Sequence, residues 1–328
     1  MNVHMKLSVI IPVYNTAPFL EKCIESIYEN NPLSRTDFEV ICVDDGSTDH
    51  SNQILGDLAS KHHNIYVLSQ DNSGQSVARN RALDIARGHY VYFLDSDDYI
   101  NASALVDSLI ASIKMNMELT IVDYVKVDEA GRRITRQDHN PYEKLNRVVT
   151  GGELLSEYTV RGAVCSYLCR RDQLEVNKLR FTEGIYLEDE EFMIKLISKC
   201  TRIYNSRKQV YYYTQRKGST VNPTSQEKER ALLNSLFHIA KSIQSLSERE
   251  SDPLVSRGLS KKTAQLSISF ILMLKHSSLE KEEKRSFLFH YLSSSVYPIR
   301  TKELKLVQRL FGILANRRFF LEFYAVAD

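Results

Sequence analysis

The sequence predicts an α/β protein built on a mixed, mainly parallel β-sheet flanked by helices, followed by a helical C-terminal region. Three observations predict this fold class. Short apolar runs alternate with stretches of helical periodicity over the first hundred residues, which is the pattern of βαβ units. Acidic clusters follow two of those runs, at the edge where open parallel sheets bind ligands. From about residue 225 onward the pattern is helical alone.

The first hundred residues supply four strands and three helices in alternation. The predicted strands are short apolar runs, and they cover 7–11, 38–43, 65–68 and 90–94. The predicted helices have one apolar face each, and they cover 18–29, 51–62 and 75–86. Pro12 is expected to end the first strand. Right-handed crossovers then place the carboxyl ends of the strands at one edge of the sheet.

Residues beyond 100 are predicted to complete the sheet in a mixed α/β pattern. A helix over 102–115 precedes a hairpin, and further strands and a helix over 188–198 follow. Breaks at 251–253 and 297–298 divide the helical tail. We therefore expect two domains, over 1–224 and 225–328.

Charge is distributed unevenly along the chain, although the net charge is only +2. Residues 1–100 carry 7 Lys and Arg against 14 Asp and Glu, whereas the other 228 residues carry 36 against 27. An acidic front half argues against a nucleic-acid partner, which requires a basic patch. It suits a site where carboxylates hold a metal ion.

The cysteine content and the hydropathy pattern predict the compartment. The five cysteines are odd in number and contain no CxxC pair, which favours a reducing environment. No signal peptide is expected, and no segment approaches the roughly 20 apolar residues of a membrane span. The sequence therefore predicts a cytoplasmic protein.

Asp95, Ser96, Asp97 and Asp98 follow the fourth predicted strand. Asp95 and Asp97, two residues apart, are expected to converge on one hard cation. Mg²⁺ or Mn²⁺ is commonly held by one or two carboxylates together with substrate phosphates. The alternative is an acidic turn that caps the next helix, with Asp98 or Asn101 as the N-cap.

A second acidic turn, 44–49, follows the second predicted strand. A carboxylate of Asp44 or Asp45 can accept hydrogen bonds from a base or a ribose, and Tyr14 and Asn15 follow the first strand with an aromatic face. The alternative is a plain turn and helix cap. Because no glycine-rich phosphate loop occurs, phosphate binding is left to the metal and to side chains such as Arg79 and Arg216.

A third acidic cluster, 188–191, begins a predicted helix. Carboxylates at a helix N-terminus oppose the macrodipole favourably, so plain capping is one interpretation. The other is a general base that deprotonates an acceptor hydroxyl.

These motifs together resemble the family 2 glycosyltransferases, which have the GT-A fold. The matching segments occur in the family's order, and they are SVIIPVYN (8–15), VDDGSTD (43–49), NSGQSVARN (72–80), YFLDSDD (92–98), EDEEF (188–192) and YTQRKGST (213–220). The resemblance covers about residues 6–222. One departure is Thr214, since many relatives have an arginine there.

The resemblance implies a nucleotide-sugar site and assigns its residues. Tyr14, Asp45 and Arg79 would hold the uracil, and Asp95 would contact ribose or metal. Asp97 would bind Mn²⁺ or Mg²⁺, and Asp189 would be the general base of an inverting reaction. Arg216 and Ser219 would contact the diphosphate. The donor-site motifs also contain the other residues assigned to this site, which are Pro12, Asn15, Asp44 and Ser96.

The implied reaction moves a sugar from a nucleoside-diphosphate sugar, a UDP-sugar by preference, to an acceptor hydroxyl. The implied acceptor is a saccharide or a lipid-linked molecule in polysaccharide biosynthesis. Residues 1–224 would then be the catalytic domain, and 225–328 would contact the acceptor, a membrane surface or another subunit.

The tail contains a basic amphipathic segment, predicted as a helix over 300–318. Its basic residues oppose a single acid, Glu303, and they are Arg300, Lys302, Lys305, Arg309, Arg317 and Arg318. Such a segment is typical of peripheral contact with an anionic membrane, here the inner face. The alternative is that its apolar side packs on the protein.

Three other functions are compatible with parts of this pattern. A sugar-nucleotide-binding protein without catalysis would keep the fold but not need every carboxylate. A haloacid-dehalogenase-like phosphatase would place its Asp-x-Asp motif near the start of the chain. A nucleotidyltransferase would require a glycine- and lysine-rich loop after the first strand, which this chain does not have.

Overall fold

The computed structural model describes residues 5–134, 141–215 and 225–326. The chain divides into two compact units. Unit 1 comprises Met1–Thr150, Ala163–Gly184 and Lys199–Ser219, and unit 2 comprises Gly151–Gly162, Ile185–Ser198 and Thr220–Asp328. Unit 2 thus joins two segments from earlier in the chain to the C-terminal helices. The functional division predicted at residue 225 stays a prediction.

Eight strands form one sheet in unit 1. They are β1 (Leu7–Val13), β2 (Phe38–Asp44), β3 (Ile65–Ser69), β4 (Tyr90–Phe93), β5 (Tyr99–Ile100), β6 (Leu119–Val127), β7 (Tyr167–Arg170) and β8 (Ile203–Thr214). Their spatial order is β3-β2-β1-β4-β7-β6-β8-β5. Strands β3, β2, β1 and β4 are parallel neighbours, whereas β7 runs antiparallel to both β4 and β6. The predicted mixed, mainly parallel sheet is confirmed.

The helices alternate with the first four strands as predicted. Over the described residues they are α1 (Ala17–Tyr28), α2 (Ser51–Lys61), α3 (Gln75–Ile85), α4 (Ala102–Met115), α5 (Gly151–Glu157), α6 (Arg171–Val176), α7 (Glu188–Lys199), α8 (Gln226–Arg249), α9 (Pro253–His276), α10 (Lys281–Leu292), α11 (Leu306–Ala315) and α12 (Arg318–Val326). The apolar faces of α1 and α2 are buried with the inner strands, and they form the core of unit 1.

The prediction that Pro12 ends the first strand is wrong. β1 continues to Val13, and Pro12 is in register with Val43 of β2. The neighbour on the other side, β4, pairs only as far as Ile10. Pro12 therefore lies where the strand is paired on one side alone, which is a position that tolerates a missing N–H.

In unit 2, α5 packs closely against α9. A Cβ at Gly258 would lie 2.4 Å from Cβ of Leu155, so this approach requires glycine. The ammonium of Lys261 donates to the carbonyl oxygens of Leu155, Ser156 and Tyr158 at 3.3, 2.8 and 3.0 Å. Lys261 thereby caps the C-terminus of α5, where a cation also opposes the helix dipole.

The predicted basic helix over 300–318 is only partly correct. Helix α11 begins at Leu306, and α12 begins separately at Arg318. The preceding segment is held in a non-helical conformation by Asn316, whose side chain bonds both the N–H and the carbonyl of Ile299. Arg300 and Lys302 consequently precede the helix instead of lying on it.

Candidate functional site

The carboxyl ends of three parallel strands meet at one edge of the sheet in unit 1. β1 ends at Val13, β2 at Asp44 and β4 at Phe93, and these strands are adjacent. The backbone N–H of Asp45 donates to the carbonyl of Val13 at 2.8 Å, which joins the first two strand ends directly. The two acidic clusters therefore lie at the ligand-binding edge, as the sequence predicted.

Asp95 is held by an arginine from α3. Nη2 of Arg79 donates to Oδ1 of Asp95 at 2.8 Å, and the arginine side chain is almost fully buried whereas the carboxylate is partly exposed. The guanidinium also lies 5.3 Å from the centre of the Phe181 ring. Charge pairing and ring contact fix Arg79, which presents Asp95 toward solvent at the strand end.

Asp97 is partly exposed, as is Asp95 in the same turn. No group of three or more His, Cys, Asp or Glu side chains that could hold a metal occurs in the described ranges. Mg²⁺ and Mn²⁺ do not need one, since two carboxylates complete their shell with water and phosphate oxygens. The turn contains two partly exposed carboxylates, Asp95 and Asp97, and Arg79 neutralises part of the charge on Asp95.

Asp98 is buried and connects the acidic turn to β8. Its carboxylate accepts a hydrogen bond from the hydroxyl of Tyr211 at 2.5 Å and another from the N–H of Thr214 at 2.7 Å. Burial, together with the charges of Asp95 and Asp97, raises the pKa of Asp98 to about 8. Burial is the main cause of the raised pKa, and repulsion from Asp95 and Asp97 adds to it.

Sequence reasoning considered Asp98 only as a helix cap and did not identify Tyr211. The cap of α4 is Asn101, which accepts from the N–H of Ala104 at 3.0 Å. Tyr211 is separated from Asp98 by 113 residues, so no local pattern links them. The sequence feature that could have pointed to Tyr211 is the run of tyrosines at the end of β8, because alternate side chains of a strand face the same side of the sheet.

Replacing Asp98 with alanine is expected to lower the free energy of unfolding by roughly 2–6 kcal/mol. Two buried donors lose their acceptor, and each such loss costs about 1–3 kcal/mol. Asparagine is expected to cost markedly less, because its oxygen and amide can still contact Thr214 and Tyr211. Urea unfolding of both variants measures the difference. Equal stability of the alanine variant and the wild type would contradict the assigned link.

Both oxygens of Asp45 hold the loop before α3. Oδ1 accepts from the side chain of Gln70 at 2.7 Å and from the N–H of Ser73 at 2.8 Å. Oδ2 accepts from the N–H of Gly74 at 2.8 Å. Asp44 is also occupied, since it accepts from the N–H of Ser47 at 3.2 Å and from Asn52 at 3.1 Å. These aspartates thus shape the site's backbone, whatever else they bind.

Asn15 and Ser96 connect the turns at the strand ends. Oδ1 of Asn15 accepts from the N–H groups of Thr48 and Asp49 at 2.8 and 3.3 Å, so this side chain holds the second acidic turn against the end of β1. The hydroxyl of Thr16 donates to Ser96 at 3.0 Å and links β1 to the acidic turn after β4. The structure therefore brings these predicted residues together through mutual contacts.

Tyr14 is the exposed aromatic side chain at this edge, with 47% of its surface accessible. It directly follows β1, the strand that contains Pro12. An exposed ring beside buried carboxylates is available to a planar base.

Asn80, the last residue of the NSGQSVARN segment, has a structural role that the sequence did not reveal. Its side chain accepts from the N–H of Phe181 at 2.8 Å and donates to the carbonyl of the same residue at 2.9 Å. This two-point contact fixes Phe181 against Arg79, which in turn holds Asp95. The asparagine thereby supports the acidic turn indirectly.

Asp189 belongs to unit 2, at the first turn of α7. Its neighbours have partners: Glu190 forms an ion pair with Lys262, and Glu191 pairs with Lys195 at 2.7 Å. Glu188 is buried, whereas the side chain of Asp189 is partly exposed. Its predicted role as the base stays a prediction, and Arg216 and Ser219 lie outside the described residues.

A family model described as glycosyl transferase family 2 matches residues 8–171, half of the chain. An uncharacterized glycosyltransferase of Bacillus subtilis, EpsJ, is 33% identical over 220 residues, which is 65% of this chain and 62% of EpsJ. TarS of Staphylococcus aureus, a poly(ribitol-phosphate) beta-N-acetylglucosaminyltransferase, is 30% identical over 65% of this chain and 36% of TarS. The chain thus spans less than two thirds of these relatives.

Solved structures give the fold. The crystal structure of TarS 1–349 with UDP-GlcNAc superposes with a TM-score of 0.58 and 24% identity, covering 94% of this chain and 79% of that one. A mannosyltransferase of Pyrobaculum calidifontis, solved with GDP-Man and Mn²⁺, has a TM-score of 0.55 and 16% identity, covering 95% and 86%.

These likenesses bear out the GT-A fold that the motifs implied. The family match includes the strand ends β1, β2 and β4 and the acidic turns that follow β2 and β4. The chain belongs to glycosyl transferase family 2.

Proposed function

We propose that this protein is a metal-dependent, inverting glycosyltransferase that moves a sugar from a UDP-sugar to an acceptor hydroxyl. The observation that carries the proposal is the acidic turn after β4. Its two partly exposed carboxylates, Asp95 and Asp97, stand at the ligand-binding edge of the sheet, and Arg79 holds Asp95 in place there. A diphosphate leaving group requires a cation at such a place.

The uracil of the donor nucleotide is assigned to a site formed by the end of β1 and the turn after β2. The exposed ring of Tyr14 offers a stacking face. Asp45 already accepts three hydrogen bonds, but a carboxylate has about four acceptor sites, so Oδ2 retains capacity for a uracil N–H. TarS in complex with UDP-GlcNAc supports uridine over other bases.

The metal is assigned to Asp97, with Asp95 assisting. When bound, a divalent ion supplies neutralising charge to the departing diphosphate. Arg79 keeps Asp95 oriented through the 2.8 Å contact. The Mn²⁺ in the mannosyltransferase of Pyrobaculum calidifontis supports Mn²⁺ or Mg²⁺ as the ion.

Asp189 is assigned as the general base that takes the proton of the acceptor hydroxyl. Its carboxylate is partly exposed in the first turn of α7, whereas that of Glu188 is buried. A base that deprotonates the acceptor hydroxyl leads to a single displacement, which inverts the anomeric carbon.

The acceptor class follows from the relatives. TarS acts on poly(ribitol-phosphate), according to its name. We therefore assign this chain to polysaccharide biosynthesis, with a saccharide or a lipid-linked acceptor. The five cysteines all lie in the described part of the chain and form no disulfide, which suits a cytoplasmic site of action.

Calorimetric titration of UDP tests the donor site. Wild-type protein is expected to bind UDP in the presence of Mn²⁺ and to lose at least about tenfold in affinity when excess chelator removes the metal, because charge neutralisation is worth more than about 1.4 kcal/mol here. Absence of UDP binding under both conditions would overturn the uridine assignment. Tight binding that ignores the chelator would overturn the metal assignment. Binding of UDP-sugars without turnover on any saccharide acceptor would favour a non-catalytic binding protein.

A further inference from the structure

The outward face of α11 is apolar, although it faces solvent. Leu306, Val307, Leu310, Ile313 and Leu314 are all exposed, and Leu306 and Val307 are accessible over 71% and 80% of their surface. These five positions lie on one side of the helix.

The inward face of the same helix is less apolar than the outward one. It contains Gln308, the buried Gly312 and Ala315, and the half-buried Phe311. A Cβ at Gly312 would lie 2.7 Å from Thr301, so this side already packs closely on the protein. Helix α11 is therefore amphipathic, but its larger apolar side chains face solvent and its smaller residues face the protein. A group of exposed apolar side chains is typical of a surface that contacts a partner.

Helix α12 adds two exposed aromatic side chains. Phe319 and Phe323 are accessible over 83% and 71% of their surface. The two helices are joined by rings on their inner sides, since Phe311 contacts both Phe320 and Tyr324 edge-on, at 6.4 and 5.4 Å between centroids. We call the exposed residues of both helices, 306, 307, 310, 313, 314, 319 and 323, the apolar surface.

Several basic residues lie close in sequence to the residues of the apolar surface. Arg300 pairs with Glu248 and Arg318 with Glu322. Among the residues that the structure describes, four further cations have no such pair, and they are Lys302, Lys305, Arg309 and Arg317. Lys305 immediately precedes α11, and Arg309 is exposed on it. The surface thus combines exposed apolar groups with unbalanced positive charge.

We propose that the apolar surface docks on an anionic lipid bilayer. Both the apolar and the charged groups of this surface fit a bilayer. Leucine, valine and phenylalanine side chains enter the acyl boundary, and the flanking cations meet anionic headgroups. A second copy of this chain is a poorer fit, since it would bring like charges together. In the described ranges no helix has the length and apolar character needed to cross a bilayer.

Flotation with lipid vesicles tests this docking on the full chain. The protein is expected to float with vesicles of phosphatidylglycerol and phosphatidylcholine and to stay unbound with phosphatidylcholine alone. The double variant Lys305→Gln/Arg309→Gln is expected to lose about 30-fold in partitioning, since each basic residue near an anionic surface contributes roughly fivefold. The variant Val307→Glu/Leu310→Glu is expected to lose binding altogether.

Val176→Glu is the matched control. Val176 is an exposed valine on α6, accessible over 79% of its surface, and this variant is expected to float like the wild type. UDP titration is expected to be unchanged in every variant, so that a fault in the donor site is distinguished from a fault in docking. Failure of the wild type to bind anionic vesicles would overturn the proposal. A dimer by sedimentation velocity that Val307→Glu/Leu310→Glu dissociates, without vesicle binding, would assign the surface to a second copy instead.

Discussion

Asp97→Asn is expected to lower kcat/KM for sugar transfer by about 10²–10³-fold and to abolish the metal dependence of UDP binding. Asparagine keeps the volume and one oxygen but removes the charge that attracts the cation. Loss of one group that stabilises transition-state charge costs about this much in characterised enzymes. The effect is expected to exceed that of any neutral substitution at the same edge of the sheet, because a cation bound there would neutralise the departing diphosphate itself.

Steady-state kinetics over a range of Mn²⁺ concentrations, together with calorimetric titration of UDP, measure the effect of this change. Asp57→Asn is the control, since Asp57 is an exposed carboxylate on α2 and the same charge is removed there. Because Asp97 is partly exposed, its replacement is expected to leave the unfolding transition near that of the wild type. An Asp97→Asn enzyme with unchanged activity at limiting Mn²⁺ would show that the metal, if used, is held elsewhere.

The parallel half of the sheet and its ligand-binding edge could be predicted because their signals are local. Each strand is a short apolar run, and each acidic turn directly follows a strand end. Parallel connections then force these ends to one edge without any knowledge of side-chain contacts. Asp95 and Asp97 were accordingly placed by sequence position alone.

The hydrogen bonds that hold this edge of the sheet in place could not be predicted, because they join residues that are far apart in the sequence. Asp98 bonds Tyr211, and Asn80 bonds Phe181, across 113 and 101 residues. Strand β7 enters between β4 and β6 in the antiparallel sense, and no periodicity in the sequence fixes that order. The segment before α11 is likewise joined to the other end of the helix, since Asn316 binds Ile299 across 17 residues.

Asp189→Asn is expected to lower kcat by about 10²–10⁴-fold while leaving the affinity for UDP within about twofold of the wild type. This range is the usual contribution of a positioned general base. The amide cannot take the proton of the acceptor hydroxyl, so the proton transfer that Asp189 is proposed to perform is lost. Nothing in the donor site changes, since the substitution is isosteric.

The same substitution separates catalysis from plain helix capping. If Asp189 only opposes the dipole of α7, the change is expected to cost about 0.3–1 kcal/mol of stability and no activity. Glu190→Gln is the matched control, because Glu190 shares this first turn and its ion pair with Lys262 gives it a structural role. A kcat loss confined to Asp189→Asn, with both variants melting alike, would establish the base. A loss that follows Glu188→Gln instead would transfer the role to the neighbouring carboxylate, which the motif alone does not distinguish from Asp189.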